Sequence, residues 1–264
     1  MRIRVHLRAP PPIVIPLNYA HQLASVIYRL LDRSSPAYAS FLHGQGYGTG
    51  DRRFKLFTFS PLFGHPRQVV AGHVHFQTSA ISWSITSPVE AFIRHVVQGM
   101  LNLDRLEIAD VPLAIAQVET LPEPPVTDEM RFTCLSPLTM SMRTAGRRWA
   151  QYLAPDDPQF AAAICANLER KHALVQALQG KAAEVPRANA FSLLFDPSYG
   201  ARHGGRISKL IDYKGTKIRG YQAPFTVTGP PELLRIGYAC GFGDRNSQGF
   251  GMVEVARQAA TQAP

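Results

Sequence analysis

The chain has 264 residues and a hydrophobic content of 45%, enough for one large packed domain or two small ones. Its 28 Lys and Arg residues outnumber 19 Asp and Glu residues, and the resulting charge of +9 attracts polyanions such as nucleic acid or an acidic membrane surface. Three cysteines without metal-ligand spacing argue against a disulfide framework and a zinc site. No signal peptide and no apolar stretch of about 20 residues is present, so we expect a soluble cytoplasmic protein.

The first half of the chain alternates predicted strands and helices. Residues 2–8 alternate apolar and charged side chains with the period of a half-buried strand. A helical pattern follows over 19–32, and Ser34-Ser35-Pro36 has the cap and early proline that open a second, short helix ending near Leu42. Further along we predict a strand over 54–60, a long strand or hairpin arm over 73–86, a helix over 88–101 and a last strand over 106–118.

A proline-rich linker over 122–129 separates this half from the next, because its prolines stiffen the backbone and cannot donate to a sheet. Beyond it we predict an extended segment over 131–142, a long helix over 156–179, a hairpin over 207–227, a short helix over 231–238 and a final strand over 250–255. Both halves thus follow the order strand, helix, strands, helix, strand. This order predicts an α+β chain of two tandem ferredoxin-like (RRM-like) domains over 1–121 and 130–256, followed by a disordered tail over 257–264.

Basic residues concentrate in two segments of the second half, one of them on the predicted hairpin. Either cluster alone is equally well explained as a solvated surface, but two in one half favour contact with phosphates. The residues assigned to such contacts are Arg143, Arg147, Arg148, Arg202, Arg206, Lys209, Lys214, Lys217 and Arg219.

A glycine-rich run over 241–251 is the most distinctive motif in the chain. Glycines permit positive φ and close backbone approach, so that backbone amides can face an anion. The run follows a predicted helix and precedes a strand, the reverse of the order in dinucleotide and Walker loops, which argues against a nucleotide cofactor. A groove for a polynucleotide fits better, and a long turn that needs glycines only for its geometry is the alternative. The predicted RNA contacts are Gly241, Gly243, Arg245, Asn246, Ser247, Gln248, Gly249 and Gly251.

The run consists of Gly241-Phe242-Gly243, five polar residues and Gly249-Phe250-Gly251, and a short terminal strand follows it. This pattern resembles the CRISPR-associated endoribonucleases of the sixth Cas family, which cut the repeat in precursor CRISPR RNA. The resemblance extends along nearly the whole chain. Segments 16–31 and 34–43 are similar to the family's first and second helices, and segment 54–60 is similar to the strand that follows them. Segment 132–137 is similar to the start of the family's second half.

The resemblance implies tandem ferredoxin-like folds and RNA cleavage with neither a metal nor another cofactor. In that reaction the ribose 2′-OH attacks the neighbouring phosphorus and leaves a 2′,3′-cyclic phosphate and a 5′-OH, so the protein must move two protons and stabilise an oxyanion. The family's catalytic His, Tyr and Lys match His43, Tyr28 and Lys55. Tyr28 is equally well explained as a core tyrosine, and Lys55 is expected to be exposed on its strand. His21, two helical turns before Tyr28, could assist or replace His43.

The implied partner is CRISPR repeat RNA, as precursor and as product. Subunits of a CRISPR surveillance complex and a second copy of the chain are further expected partners, and a membrane is not. The alternative function is a catalytically inactive subunit of such a complex that binds repeat RNA. A metal-dependent nuclease is disfavoured because the acidic residues are scattered, and His73 and His75 lack a third ligand nearby. The sequence leaves open whether the RNA is recognised as a stem-loop or as a single strand.

Overall fold

The computed structural model describes residues 1–48, 53–142, 151–182 and 191–256. The predicted tail over 257–264 therefore lies outside the described residues. The helices are α1 (Ala20–Ser34), α2 (Pro36–Gly44), α3 (Glu90–Met100), α4 (Gln159–Leu178), α5 (Pro197–Arg202) and α6 (Pro231–Cys240). The strands are β1 (Arg2–Arg8), β2 (Ile13–Pro16), β3 (Thr58–Phe59), β4 (Arg67–Val70), β5 (His73–Phe76), β6 (Ala80–Thr86), β7 (Arg105–Ile108), β8 (Val111–Leu121), β9 (Glu129–Cys134), β10 (Ser141–Met142), β11 (Gln151–Tyr152), β12 (Ser192–Phe195), β13 (Ser208–Tyr213), β14 (Thr216–Tyr221), β15 (Phe225–Thr228) and β16 (Val253–Val255).

The first half forms an antiparallel sheet in the order β3-β6-β1-β8-β7. The central strand β1 pairs with β6 on one side and with β8 on the other. Its apolar side chains Ile3, Val5 and Leu7 are at most 1% exposed, because they face the layer formed by α1 and α3. With α1 after the first strand and α3 before β8, this is a ferredoxin-like fold with β7 added at one edge.

The second half repeats the arrangement with a sheet in the order β12-β15-β9-β16. Here α4 connects β9 to the later strands, α6 precedes β16, and the two helices pack against each other. The predicted pair of tandem ferredoxin-like folds is therefore confirmed. Within the described ranges, no helix has the length and apolar composition needed to cross a bilayer.

The two halves are joined by buried polar contacts. Thr58 Oγ1 donates to the carbonyl of Phe250 over 3.0 Å, and Thr86 Oγ1 donates to the carbonyl of Ala239 over 2.9 Å. Arg2, which the alternating pattern of β1 predicts to face solvent, is only 3% exposed. Its guanidinium lies 3.8 Å from the ring centre of Tyr238 and donates to the carbonyl of that residue, so a cation–π contact accounts for the burial.

Several predicted strands are divided in the structure. The segment 54–60 contains only the short β3, because Leu56 takes a positive φ of 54° that interrupts the extended backbone. Segment 73–86 contains β5 and β6, which belong to different sheets. Segment 106–118 contains the hairpin β7–β8, whose turn at Ala109-Asp110 has positive φ at both residues and no glycine to mark it. The predicted hairpin over 207–227 is β13–β14, and β15 leaves it to join the main sheet.

Candidate active site

Helices α1 and α2 bring two of the predicted catalytic side chains together. α1 buries Leu23, Ile27 and their neighbours, and this places Tyr28 on the partly open side of the helix. α2 begins where Ser35 Oγ accepts a hydrogen bond from the Tyr38 amide, and His43 lies exposed in its last turn. The rings of Tyr28 and His43 are 5.2 Å apart and nearly perpendicular, at 81°. Tyr28 is thus half-buried beside His43, not a fully buried core residue.

These two side chains line a cleft of about 630 Å³ between α1 and α2. His21 lies in the same cleft, and so do Tyr213 and Lys214 from the tip of the hairpin β13–β14. The rings of His21 and Tyr213 are 6.2 Å apart. The structure therefore unites residues from both halves in one cleft. Tyr213 was not among the residues predicted for the site, although its place before Lys214-Gly215 marks it as a residue of the hairpin tip.

The environment of the cleft determines which of its groups can move protons. Burial raises the pKa of the Tyr28 hydroxyl to about 12, and the nearby Tyr213 adds to this shift. Tyr28 therefore keeps its proton near neutral pH and is a hydrogen-bond donor there. The Nδ1 atom of His21 is buried and has no hydrogen-bond partner among the described residues, whereas its backbone carbonyl accepts from Ser25 Oγ.

Lys55 lies behind His43, outside the cleft. Its Nζ donates to the carbonyl of Leu42 and, over 2.7 Å, to the carbonyl of His43 itself. A cation at this position neutralises the negative end of α2 and satisfies carbonyls that the helix leaves open. Burial, together with the charge of Arg53, lowers the pKa of Lys55. The expectation of an exposed lysine is therefore wrong, since Lys55 is half-buried at the end of the helix that carries His43.

The glycine-rich run is packed between the two halves. All four of its glycines have positive φ, between 72° and 90°. A Cβ on Gly243 would lie 2.2 Å from the carbonyl oxygen of Thr139, and one on Gly249 would lie 2.8 Å from the Phe59 ring of the first half. The amides of Gly241 and Gly251 donate to the carbonyls of Gly237 and Pro137. Close packing is by itself sufficient to require these glycines, and contact of their backbone with RNA stays a prediction.

A buried lysine holds the same run from inside. Lys171 on α4 is 1% exposed and donates to the carbonyls of Gly241 and Gly243 and to Asn246 Oδ1, over 2.7–2.9 Å. The side-chain amide of Asn246 donates to the carbonyls of Phe242 and Phe250. The side chain of Asn246 thus organises the loop, and its predicted contact with RNA stays a prediction. No local signal in the sequence distinguishes Lys171 from a surface lysine of a helix.

The other predicted contacts of the run are more accessible. Arg245, Ser247 and Gln248 are half-exposed. Arg245 and Ser247 line a pocket of about 210 Å³ that also contains Arg53 and Lys55. RNA binding by these side chains stays a prediction.

The basic hairpin is exposed. Arg202, Arg206, Lys209, Lys217 and Arg219 are all on the surface, and Lys214 projects at the cleft. Lys217 pairs with Asp212 over 2.8 Å. Arg143, Arg147 and Arg148 lie outside the described residues. In the described ranges, no cluster of three or more His, Cys, Asp or Glu side chains is arranged to hold a metal ion.

Two family models together match nearly the whole chain. The one described as CRISPR-associated protein Cas6, N-terminal, matches residues 14–119, and the one described as CRISPR associated protein Cas6, C-terminal, matches residues 121–255. The chain belongs to the Cas6 family. His43 thus lies at the end of α2 in the N-terminal Cas6 region, and the hairpin tip that reaches the cleft comes from the C-terminal one.

Individual relatives agree with this assignment. CRISPR-associated endoribonuclease Cas6 1 of Methanocaldococcus jannaschii is 28% identical over 96% of this chain and 92% of its own length. CRISPR-associated endoribonuclease Cas6 of Pyrococcus furiosus is 24% identical over 94% of this chain and 86% of its own length. A solved structure of a Cas6-related gene product from Pyrococcus furiosus superposes with a TM-score of 0.79 at 23% identity, covering 98% of this chain and 99% of that one, which shows the same fold.

Proposed function

We propose that this Cas6-family chain is a metal-independent endoribonuclease that cuts repeat sequences in precursor CRISPR RNA. The observation that carries the proposal is the His43–Tyr28 pair, 5.2 Å apart in a cleft that a cationic hairpin reaches. Relatives that match over nearly the full length of the chain are named as CRISPR-associated endoribonucleases, and this supports the same substrate class.

The reaction needs two proton transfers and one stabilised charge. The ribose 2′-oxygen forms a bond to phosphorus and loses its proton to a base, while the bond from phosphorus to the 5′-oxygen breaks and that oxygen takes a proton from an acid. His43 is exposed in the cleft, and an imidazole can both accept and donate a proton, so we assign it one of these transfers. His21 in the same cleft is the second candidate for proton transfer.

Tyr28 and Lys55 support His43 in different ways. Because Tyr28 stays protonated at neutral pH, its hydroxyl can donate a hydrogen bond to the phosphate as negative charge develops there. Lys55 donates to the carbonyls of Leu42 and His43, so its role in this proposal is to position the end of α2 that carries His43.

The exposed cations of the second half would hold the RNA by its phosphates. Arg202, Arg206, Lys209 and Arg219 lead from the body of the protein along the hairpin to Lys214 at the cleft. Arg245 and Ser247 extend this surface beside Lys55. Association with surveillance-complex subunits and formation of a homodimer stay predictions.

The test is cleavage of the cognate repeat RNA in the presence of EDTA by the wild-type chain and by His43→Ala. We expect the wild type to cut and the variant to cut at least about 100-fold more slowly while still binding the RNA, since positioned proton transfer contributes roughly 10²–10⁴-fold. His73→Ala is the matched control, because His73 is an exposed histidine on β5, outside the cleft.

Three results would contradict the proposal. Cleavage abolished by EDTA would indicate a metal-dependent reaction. Binding without cutting by the wild type would indicate the inactive RNA-binding subunit. Full activity of His43→Ala together with loss of activity in His21→Ala would transfer the proton-transfer role from His43 to His21.

A further inference from the structure

The hairpin β13–β14 connects the second half to the cleft of the first. Neither of its strands pairs with the four-stranded sheet, and the two pair only with each other among the named strands of the described residues. The hairpin is fixed at its base by reciprocal backbone hydrogen bonds of 2.8 Å between Leu138 and Tyr221 and by Thr139 Oγ1, which donates to the carbonyl of Arg219. Its tip, Tyr213 and Lys214, lines the cleft on α1.

We propose that Tyr213 and Lys214 hold the nucleotide next to the scissile phosphate, with the Tyr213 ring stacked on an unpaired base and the Lys214 ammonium on its phosphate. This inference rests on the proposed function and adds to it that the RNA must be unpaired at this position when bound. Single-stranded nucleic acid is commonly held in this way, by an aromatic ring for the base and a cation for the backbone.

The conformation of the turn indicates that Lys214 has a role beyond forming the turn. Lys214 and Gly215 have φ of +51° and +78°, the pattern of a two-residue hairpin turn with both central residues left-handed. Asn-Gly is the preferred pair for such turns, and a lysine in the first position is disfavoured by its Cβ. Asp212 secures the tip, since its carboxylate accepts from the Gly215 amide and from Lys217 Nζ, each over 2.8 Å. Turn geometry alone therefore does not account for a lysine here.

The position of Tyr213 matches the neighbouring nucleotide and not the reacting phosphate. Its ring lies 6.2 Å from that of His21, and His21 precedes Tyr28 by seven residues on α1, a separation of about 10 Å along the helix axis. The Tyr213–His21 end of the cleft thus adjoins the His43–Tyr28 end, beside a nucleotide that flanks the scissile phosphate. Burial raises the pKa of Tyr213, so its ring is neutral at working pH and offers a π-face next to a cation.

The stacking is tested in the His43→Ala background, so that the RNA stays intact. After the cut phosphate has been mapped with the wild type, 2-aminopurine is placed in the repeat RNA on either side of it. We expect its fluorescence to fall several-fold on binding at one of the two positions. Tyr213→Phe should keep this quenching and Tyr213→Ala should lose it. Tyr199→Ala is the matched control, because Tyr199 also contacts a histidine, His203, but does not line the cleft.

Quenching that is equal with and without the Tyr213 ring, at both positions, would overturn the stacking. A wild-type chain that fails to cut repeat RNA would refute the proposed function. In that case 2-aminopurine is placed at successive positions along the intact repeat RNA, and loss of quenching in Tyr213→Ala still decides whether Tyr213 contacts a bound base.

The role of Lys214 is tested by Lys214→Asn, which creates the preferred Asn-Gly turn and should fold at least as stably as the wild type. We expect its affinity for repeat RNA to fall about 5- to 10-fold and the slope of log affinity against log salt to decrease by about 1. Lys181→Asn is the control, since Lys181 is exposed in the same half but outside the cleft. An unchanged affinity and salt slope in Lys214→Asn would overturn the contact.

Discussion

Replacement of Gly243 by alanine tests whether close packing, and not RNA contact, requires the glycines of the run. Gly243 has φ +72°, and a Cβ there would lie 2.2 Å from the carbonyl oxygen of Thr139 and 3.3 Å from Ile164 Cδ1. The Thr139 carbonyl cannot easily move away, because it accepts a 2.8 Å hydrogen bond from the Asp244 amide. The left-handed conformation costs an alanine about 1–2 kcal/mol, and the overlap adds about 1–3 kcal/mol. We therefore expect a loss of about 2–5 kcal/mol in the free energy of unfolding.

Gly72→Ala supplies the matched control. Gly72 has a nearly equal φ of +76°, but a Cβ there would have nothing within 4 Å, so only the cost of about 1–2 kcal/mol for the backbone conformation applies. Urea unfolding followed by tryptophan fluorescence measures both variants. If Gly243→Ala is no less stable than Gly72→Ala, the contact with Thr139 does not constrain this position, and presentation of backbone to RNA becomes the better explanation of the glycine.

Three further perturbations test other parts of the structure. Lys171→Met should lower the free energy of unfolding by about 3–5 kcal/mol, because it leaves three buried acceptors without a donor; a loss below about 1 kcal/mol in urea unfolding would contradict this. Lys55→Met should slow RNA cleavage more than it weakens RNA binding, because the carbonyls of Leu42 and His43 lose their cation; equal losses in rate and affinity would argue for a simple RNA contact. Burial raises the pKa of Tyr19 to about 12, so between pH 10 and 12 the unfolded chain releases a proton that the folded chain keeps, and stability falls with rising pH by about 1.4 kcal/mol per unit. Tyr19→Phe should show a shallower decline than the wild type over that range, and parallel curves would refute the assignment.

The candidate site was only partly predictable from the sequence. The end of α2 is marked locally by the Ser35-Pro36 start and the glycines after His43, so His43 could be placed at a helix end before the structure was known. Its approach to Tyr28 then follows from the packing of two consecutive helices. The expected full exposure of Lys55 was wrong, because its ammonium group packs against the carbonyls at the end of α2, a contact with no local signal in the sequence.

The order of strands and helices in each half follows from local signals, namely side-chain periodicity, helix starts and the proline-rich linker. These signals act over a few residues, so the sequence alone predicted two tandem ferredoxin-like folds. Only the tertiary structure showed the contacts between distant segments. Lys171 binds residues of the glycine-rich run that lie 70–75 positions later in the chain, and Arg2 is buried against Tyr238, which lies 236 positions later. The tip of the hairpin likewise reaches the cleft on α1. Such contacts have no local signature, because desolvation and hydrogen bonding between distant segments arise only when the two halves pack together.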